Sequence, residues 1–79
     1  MNRHEVREAL RTAQVPDGLY RIEGIHEPFP PPTDYHFLRH RDGTWESGFY
    51  ERGHHDVTAR FTDEAAACAH LLREVLRGR

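Results

Sequence analysis

Tyr35-His36-Phe37-Leu38-Arg39-His40-Arg41-Asp42-Gly43-Thr44-Trp45-Glu46-Ser47-Gly48-Phe49-Tyr50 decides the fold. Two runs of strand type meet at Asp42-Gly43, and Asp-Gly between such runs is a strong local signal for a tight β-hairpin. With Asp42 and Gly43 as the two loop residues, Arg41 opposes Thr44 and His40 opposes Trp45. Further along, Arg39 opposes Glu46, Leu38 opposes Ser47, Phe37 opposes Gly48, His36 opposes Phe49 and Tyr35 opposes Tyr50. The pairs make physical sense: Arg39 with Glu46 joins opposite charges, Tyr35 with Tyr50 joins aromatic rings, and Phe37 covers the bare backbone of Gly48.

Working outward, a first helix is predicted over residues 3–13. Asn2 is its N-cap, Glu5 completes a capping box, and Val6, Ala9, Leu10 and Ala13 share one side. Pro16-Asp17-Gly18 turns the chain. A strand over residues 19–25 follows, with Tyr20 and Ile22 on one face and Arg21 and Glu23 on the other. His26-Glu27-Pro28-Phe29-Pro30-Pro31-Pro32-Thr33-Asp34 holds four prolines in nine residues, which no sheet interior accepts. It reads as a stiff, extended crossover, and Phe29 offers the alternative of an exposed recognition loop.

Strands over residues 35–40 and 44–50 form the hairpin. Residues 51–55 read as a second turn, and a fourth strand over residues 56–61 places Val57, Ala59 and Phe61 on one side. Thr62 reads as the N-cap of a last helix reaching about Leu76. Its expected buried stripe is Ala65, Cys68, Leu72, Val75 and Leu76. The expected architecture is a single α+β domain over residues 1–79, ordered α-β-β-β-β-α: one antiparallel four-stranded sheet with both helices on one face.

The hairpin has two faces to choose between. One carries His36, Leu38, His40, Trp45, Ser47 and Phe49. The other carries Tyr35, Phe37, Arg39, Glu46, Gly48 and Tyr50. The second holds the charge pair and the hydroxylated rings, so the helices are expected on the first. A one-residue slip in register would reverse the assignment. The second face would then stand open, with an aromatic composition rimmed by charge like that of protein interfaces.

Composition bounds the rest. The chain has 79 residues, 37% hydrophobic and 30% charged. A chain this short buries only roughly 60–65% of the surface its unfolded form exposes, leaving little room for a deep pocket. No apolar run nears the ~20 residues that span a bilayer, so no membrane partner is expected. The N-terminal stretch lacks a signal peptide's apolar core, and the expected location is the cytoplasm. Cys68 is the single cysteine and cannot form an internal disulfide.

Net charge is −2 with seven histidines counted neutral, which argues against a dedicated nucleic-acid binder. All eleven basic residues are arginines, as a GC-rich genome would produce and as bidentate contacts to carboxylate or phosphate would favour.

No residue set suits a reaction. His36 and His40 have helical ligand spacing but sit in a strand, where four residues cover roughly 13 Å, too far to share one zinc ion. No metal or cofactor is expected. Cys68 and His70 lie two apart on a helix and diverge. Ser47 lacks the strand–turn–helix setting of a nucleophile elbow. The expectation is a non-enzymatic binding domain.

One resemblance adds a specific expectation. Pro16-Asp17-Gly18-Leu19-Tyr20-Arg21-Ile22-Glu23-Gly24-Ile25-His26-Glu27-Pro28, Asp42-Gly43-Thr44-Trp45-Glu46 and Tyr50-Glu51-Arg52-Gly53, followed by the acidic-capped Ala-rich helix, resemble small actinobacterial proteins of polymorphic-toxin loci. Those loci include toxins of the tuberculosis-necrotizing type, which hydrolyse NAD. The resemblance spans about residues 14–76. It implies an immunity protein that inhibits a cognate toxin by occluding its active site.

The expected contact residues are Tyr35, Phe37, Arg39, Glu46, Tyr50, Glu51 and Arg52, with Glu23, Glu27 and Asp34 facing a basic toxin cleft. Two alternatives stand beside this. One is a small homo-oligomeric domain, such as a homodimer, that buries the same face. The other is an RNA or single-stranded DNA module with Arg39, Arg41 and Arg52 on phosphates.

Overall fold

A computed structural model describes residues 1–78. Helix α1 spans Arg3–Thr12, strand β1 Tyr20–Ile22, β2 Asp34–Arg41, β3 Thr44–Glu51, β4 His54–Phe61 and helix α2 Glu64–Arg77. A short 3-10 turn, Asp17–Leu19, precedes β1. The sheet order is β1-β2-β3-β4.

The β2–β3 register is the one the Asp42-Gly43 turn predicts, from Arg41 with Thr44 to Tyr35 with Tyr50. Asp42 (φ 52°) and Gly43 (φ 77°) both adopt positive φ, as a two-residue type I′ turn requires. Arg52 (φ 52°) and Gly53 (φ 80°) repeat that geometry between β3 and β4. The second turn is therefore only two residues long, and β4 begins at His54 rather than Asp56.

Two features depart from the expected antiparallel sheet and its unbroken alternation. First, β1 pairs parallel with β2, Tyr20 beside His36 and Ile22 beside Leu38, so the sheet is mixed. The strand stops at Ile22 because the chain turns back there: the Ile25 and His26 amides both donate to the Ile22 carbonyl, and the Ile22 amide donates to the His26 carbonyl. A parallel neighbour needs a return connection rather than a hairpin, and the proline-rich residues 26–33 supply much of it.

Second, the β3–β4 ladder shifts between Ser47 and Gly48. Ser47 pairs with Ala59, but Gly48 pairs with Val57. Thr58 is the extra residue of a β-bulge, and its hydroxyl donates to the Ser47 carbonyl at 3.2 Å. The bulge reverses the facing of everything before it. Val57 shares a face with Gly48, opposite to Ala59 and Phe61, where the simple alternation placed all three together.

Both helices lie on one face of the sheet. Val6, Leu10 and Val15 meet Ala67, Cys68, Leu71 and Val75 over Tyr20, Ile22 and Leu38, with Trp45 and Phe61 partly buried at the margin. The α2 stripe is rotated from expectation: Ala67 and Leu71 are buried, while Leu76 is exposed. Asp63 caps α2 in place of Thr62, its carboxylate accepting from the Ala66 amide at 3.1 Å.

The Asn2–Glu5 capping box forms in both directions at 2.8 Å. At the other end, the Val15 amide donates to Leu10 and the Gln14 amide to Arg11, with Gln14 at φ 60°. That is a Schellman ending with glutamine in the position glycine favours. Arg3 fastens the two helices to the sheet. Its amide and Nε donate to Glu64, its Nη1 donates to the Glu23 carbonyl, and its guanidinium lies 5.3 Å from the Trp45 ring centre. Among the described residues, no buried side-chain nitrogen or oxygen lacks a hydrogen-bond partner.

Two substitutions test these features. A Cβ on Gly48 would stand 2.0 Å from the Asp56 carbonyl oxygen. Backbone cannot yield there cheaply, so Gly48→Ala is expected to cost about 3 kcal/mol in urea denaturation. Gln14→Gly relieves a left-handed conformation and is expected to stabilise by about 0.5–1 kcal/mol in the same measurement.

Candidate functional site

The sheet face turned away from the helices carries the expected contact residues, but it is not bare. Phe37 is only 1% exposed and Tyr35 is buried. Gly48 has no side chain, and the Phe37 ring settles over it, its Cζ 3.0 Å from where a Cβ would stand. The bulge turns His55 onto this side, where its ring meets Phe37 edge-on at 5.0 Å and Tyr50 at 4.7 Å. Tyr35 stacks on Tyr50 at 4.7 Å, and the Arg39 guanidinium lies 5.1 Å from the Phe37 ring centre. These rings form a packed floor. Phe37, expected as a contact residue, offers almost no surface to a partner.

Glu46 is also buried. Its carboxylate accepts from Arg39 Nε at 2.8 Å and from Arg60 Nε at 3.2 Å. The hydrogen bond from Arg39 is the largest cause holding its pKa below the usual carboxylate range, with Arg60 adding to the effect. The cross-strand pair predicted from the hairpin is thus a triad that reaches β4.

Glu23 and Glu27, expected to reach outward, are satisfied internally. Glu23 accepts from the His40 amide at 3.1 Å and from Arg41 at 2.9 Å. The His40 amide is the largest cause of its lowered pKa. Glu27 accepts from the Gly24 amide at 2.7 Å and from Arg21 at 3.0 Å, and the Gly24 amide is the main reason its pKa falls. Asp34 and Glu51 are exposed and oppose each other at one end of the β2–β3 ladder, with Arg52 exposed in the adjoining turn.

Above the floor lies a groove of about 430 Å³. Arg21, Tyr35, Arg41, Tyr50 and His55 line it from the sheet. Glu27, Pro28, Phe29, Pro31 and Pro32 line it from the crossover. Phe29 stands at its margin with 92% of its surface exposed.

Of the expected contact residues, Tyr35, Tyr50 and Glu27 reach this groove. Arg21 and His55 join it only through tertiary structure: Arg21 lies beside Phe37 in the β1–β2 pairing, and His55 arrives by the bulge. A β-branched run ending in Thr58 gives no local sign of an extra residue. Phe29 was legible as the apolar residue within a proline run.

The helix-facing side holds a pairing with the look of chemistry. His70 Nδ1 and Ser47 Oγ are 3.1 Å apart. Ser47 is 1% exposed and the groove lies on the opposite face, so this hydrogen bond ties α2 to β3 beneath Phe61, whose ring is 5.5 Å from His70. Burial pushes the Cys68 thiol up to about 11, which suppresses the reactive thiolate. Among the described residues, no three His, Cys, Asp or Glu side chains cluster as metal ligands, and no helix is long and apolar enough to cross a membrane.

No protein-family model matches the sequence, and comparisons with curated proteins and with solved structures find no match.

Two half-buried histidines set a pH dependence. In the folded chain, His36 and His55 ionise below the ordinary value of 6.5. Burial is the largest cause for both. It is opposed by Glu74 at His36 and reinforced by Arg39, Arg21, Arg41 and His54 at His55. The unfolded chain takes up protons through 6.5 while the folded chain resists, so their contribution is full above 6.5 and is lost as pH falls toward the folded values. Glu23, Glu27 and Glu46, lowered from 4.5, lose theirs below about 4.5. The urea midpoint is expected to fall in two stages on acidification, and His36→Leu combined with His55→Gln should flatten the upper one.

Proposed function

We propose that this chain is a non-enzymatic protein-binding domain of the immunity type, which inhibits a cognate toxin by covering its active site in the cytoplasm. The observation that carries the reading is Phe29. A chain with a small core holds a large aromatic ring 92% exposed on a crossover stiffened by Pro28, Pro30, Pro31 and Pro32. Aromatic anchors supply much of the energy of protein interfaces, and a stiff loop loses little entropy on docking. The groove beside the ring offers polar groups to fix orientation.

The resemblance to immunity proteins supports the same reading. The alternative of a nucleic-acid stacking surface is less well supported, because Tyr35, Tyr50, His55 and Phe37 already pack against one another. Arg39 is also already paired with Glu46.

The test is co-purification with the product of the neighbouring gene and assay of that product's activity. A tight complex with loss of toxin activity is expected, and Phe29→Asp should weaken it about 30-fold, roughly 2 kcal/mol, at unchanged thermal stability. A neighbouring product that neither binds nor loses activity would overturn the proposal. Light scattering on the isolated chain is expected to give a monomer; a stable dimer would favour the homo-oligomeric alternative.

A further inference from the structure

The groove presents guanidinium edges. Its lining holds Arg21 and Arg41, each paired with one carboxylate, Glu27 in the lining and Glu23 beside it. Glu27 is already committed to the Gly24 amide and Arg21. A guanidinium presents five N–H donors in a planar fork suited to carboxylates. Arg21 spends only Nη2 on Glu27, and Arg41 spends only Nη1, on Glu23 and the His40 carbonyl. Among the described residues, Nε and the remaining Nη of each have no hydrogen-bond partner. Burial is the largest cause that disfavours a proton on the His55 ring, and Arg39, Arg21, Arg41 and His54 act in the same direction.

The apolar part of the groove narrows the ligand further. The floor rings pack against one another, and Phe29 is the most exposed ring of the lining. A bare anion would leave Phe29 and the prolines unused. A carboxylate next to an apolar side chain uses both halves.

We infer that the groove between the crossover and the outer sheet face receives an acidic segment of the partner protein, a carboxylate entering between Arg21 and Arg41 while a neighbouring apolar side chain lies on Phe29. The inference rests on the docking role proposed above and adds the chemistry of the docked segment. Glu23 and Glu27 have a definite part in it: each holds one edge of an arginine and leaves the other edges for the ligand. Both carboxylates orient the arginines instead of meeting a basic cleft themselves.

The experiment is selection of a random dodecapeptide phage library on the full chain. Enriched peptides are expected to carry Asp or Glu beside a large apolar residue. They should bind at least tenfold more weakly when their acidic residues are changed to Gln or Asn, a control that leaves the protein untouched. They should also bind at least tenfold more weakly to the Arg21→Gln, Arg41→Gln variant, with folding checked by thermal melting. No enrichment, enrichment of neutral or basic peptides, or indifference to the amide replacements would overturn the inference.

AMP and inorganic phosphate, titrated while following the arginine Nε–H resonances, form the other arm. Saturable shifts from these probes without acidic peptides in the selection would assign the groove to a small anion and overturn the acidic segment. If Phe29→Asp breaks the toxin complex while the selected peptides are not acidic, only this inference falls. If acidic peptides bind but the neighbouring product does not, only the immunity reading falls.

Discussion

The approach of β4 to Gly48 governs the outer half of this molecule. The Asp56 carbonyl occupies the space a side chain at position 48 would need, and that closeness accompanies the bulge at Thr58. With the bulge, His55 and Val57 face away from the helices while Ala59 and Phe61 face toward them. The same missing side chain gives the Phe37 ring its seat. A single glycine therefore links the packing of an aromatic floor, the facing of half a strand and the shape of the groove above it. Glycine inside a strand commonly marks such a close backbone approach.

Charge on the outer face is organised in linked pairs. Arg21 with Glu27, Arg41 with Glu23, and Arg39 and Arg60 with Glu46 join residues from different strands and loops. Exposed pairs of this kind contribute little stability. The Glu46 triad is more enclosed, and its geometry is constrained by the register of three strands. What these pairs fix is direction: each long arginine side chain is held along the sheet instead of sweeping through solvent. Pre-set arginines lose less entropy when a further group arrives.

The helix-facing half achieves order by different means. Its polar groups are few and satisfied. Tyr20 receives a hydrogen bond from Arg7 at 2.6 Å, His26 Nε2 lies 2.8 Å from the Asp17 carbonyl and its ring rests against Tyr20, and Ser47 is met by His70. Both His26 and Ser47 are buried, where an unmatched polar group would be costly. The histidines that look like chemistry in the sequence serve in several places as packed rings in aromatic contacts, among them His26, His36, His40 and His55. An imidazole suits that use, because it packs as a flat ring and keeps polar nitrogens at its rim.

Local signals were legible in this sequence wherever the causes were local. Asp42-Gly43 determined a turn and, with it, the whole β2–β3 register, because a two-residue loop leaves no freedom in pairing. The Asn2–Glu5 box placed the start of α1, and the choice of covered face followed from where the charged pair and hydroxylated rings fell. The direction of β1 was not legible, since a three-residue strand carries no mark of parallel or antiparallel pairing and the return path depends on where residues 26–33 pack. Nor was the bulge, because alternation along Val57, Ala59 and Phe61 looks unbroken until β4 is pressed against Gly48. Only the tertiary structure could bring Arg21, Arg41, His55 and Phe29 around one groove, because these four come from three strands and a crossover, and no spacing along the chain encodes contacts among them.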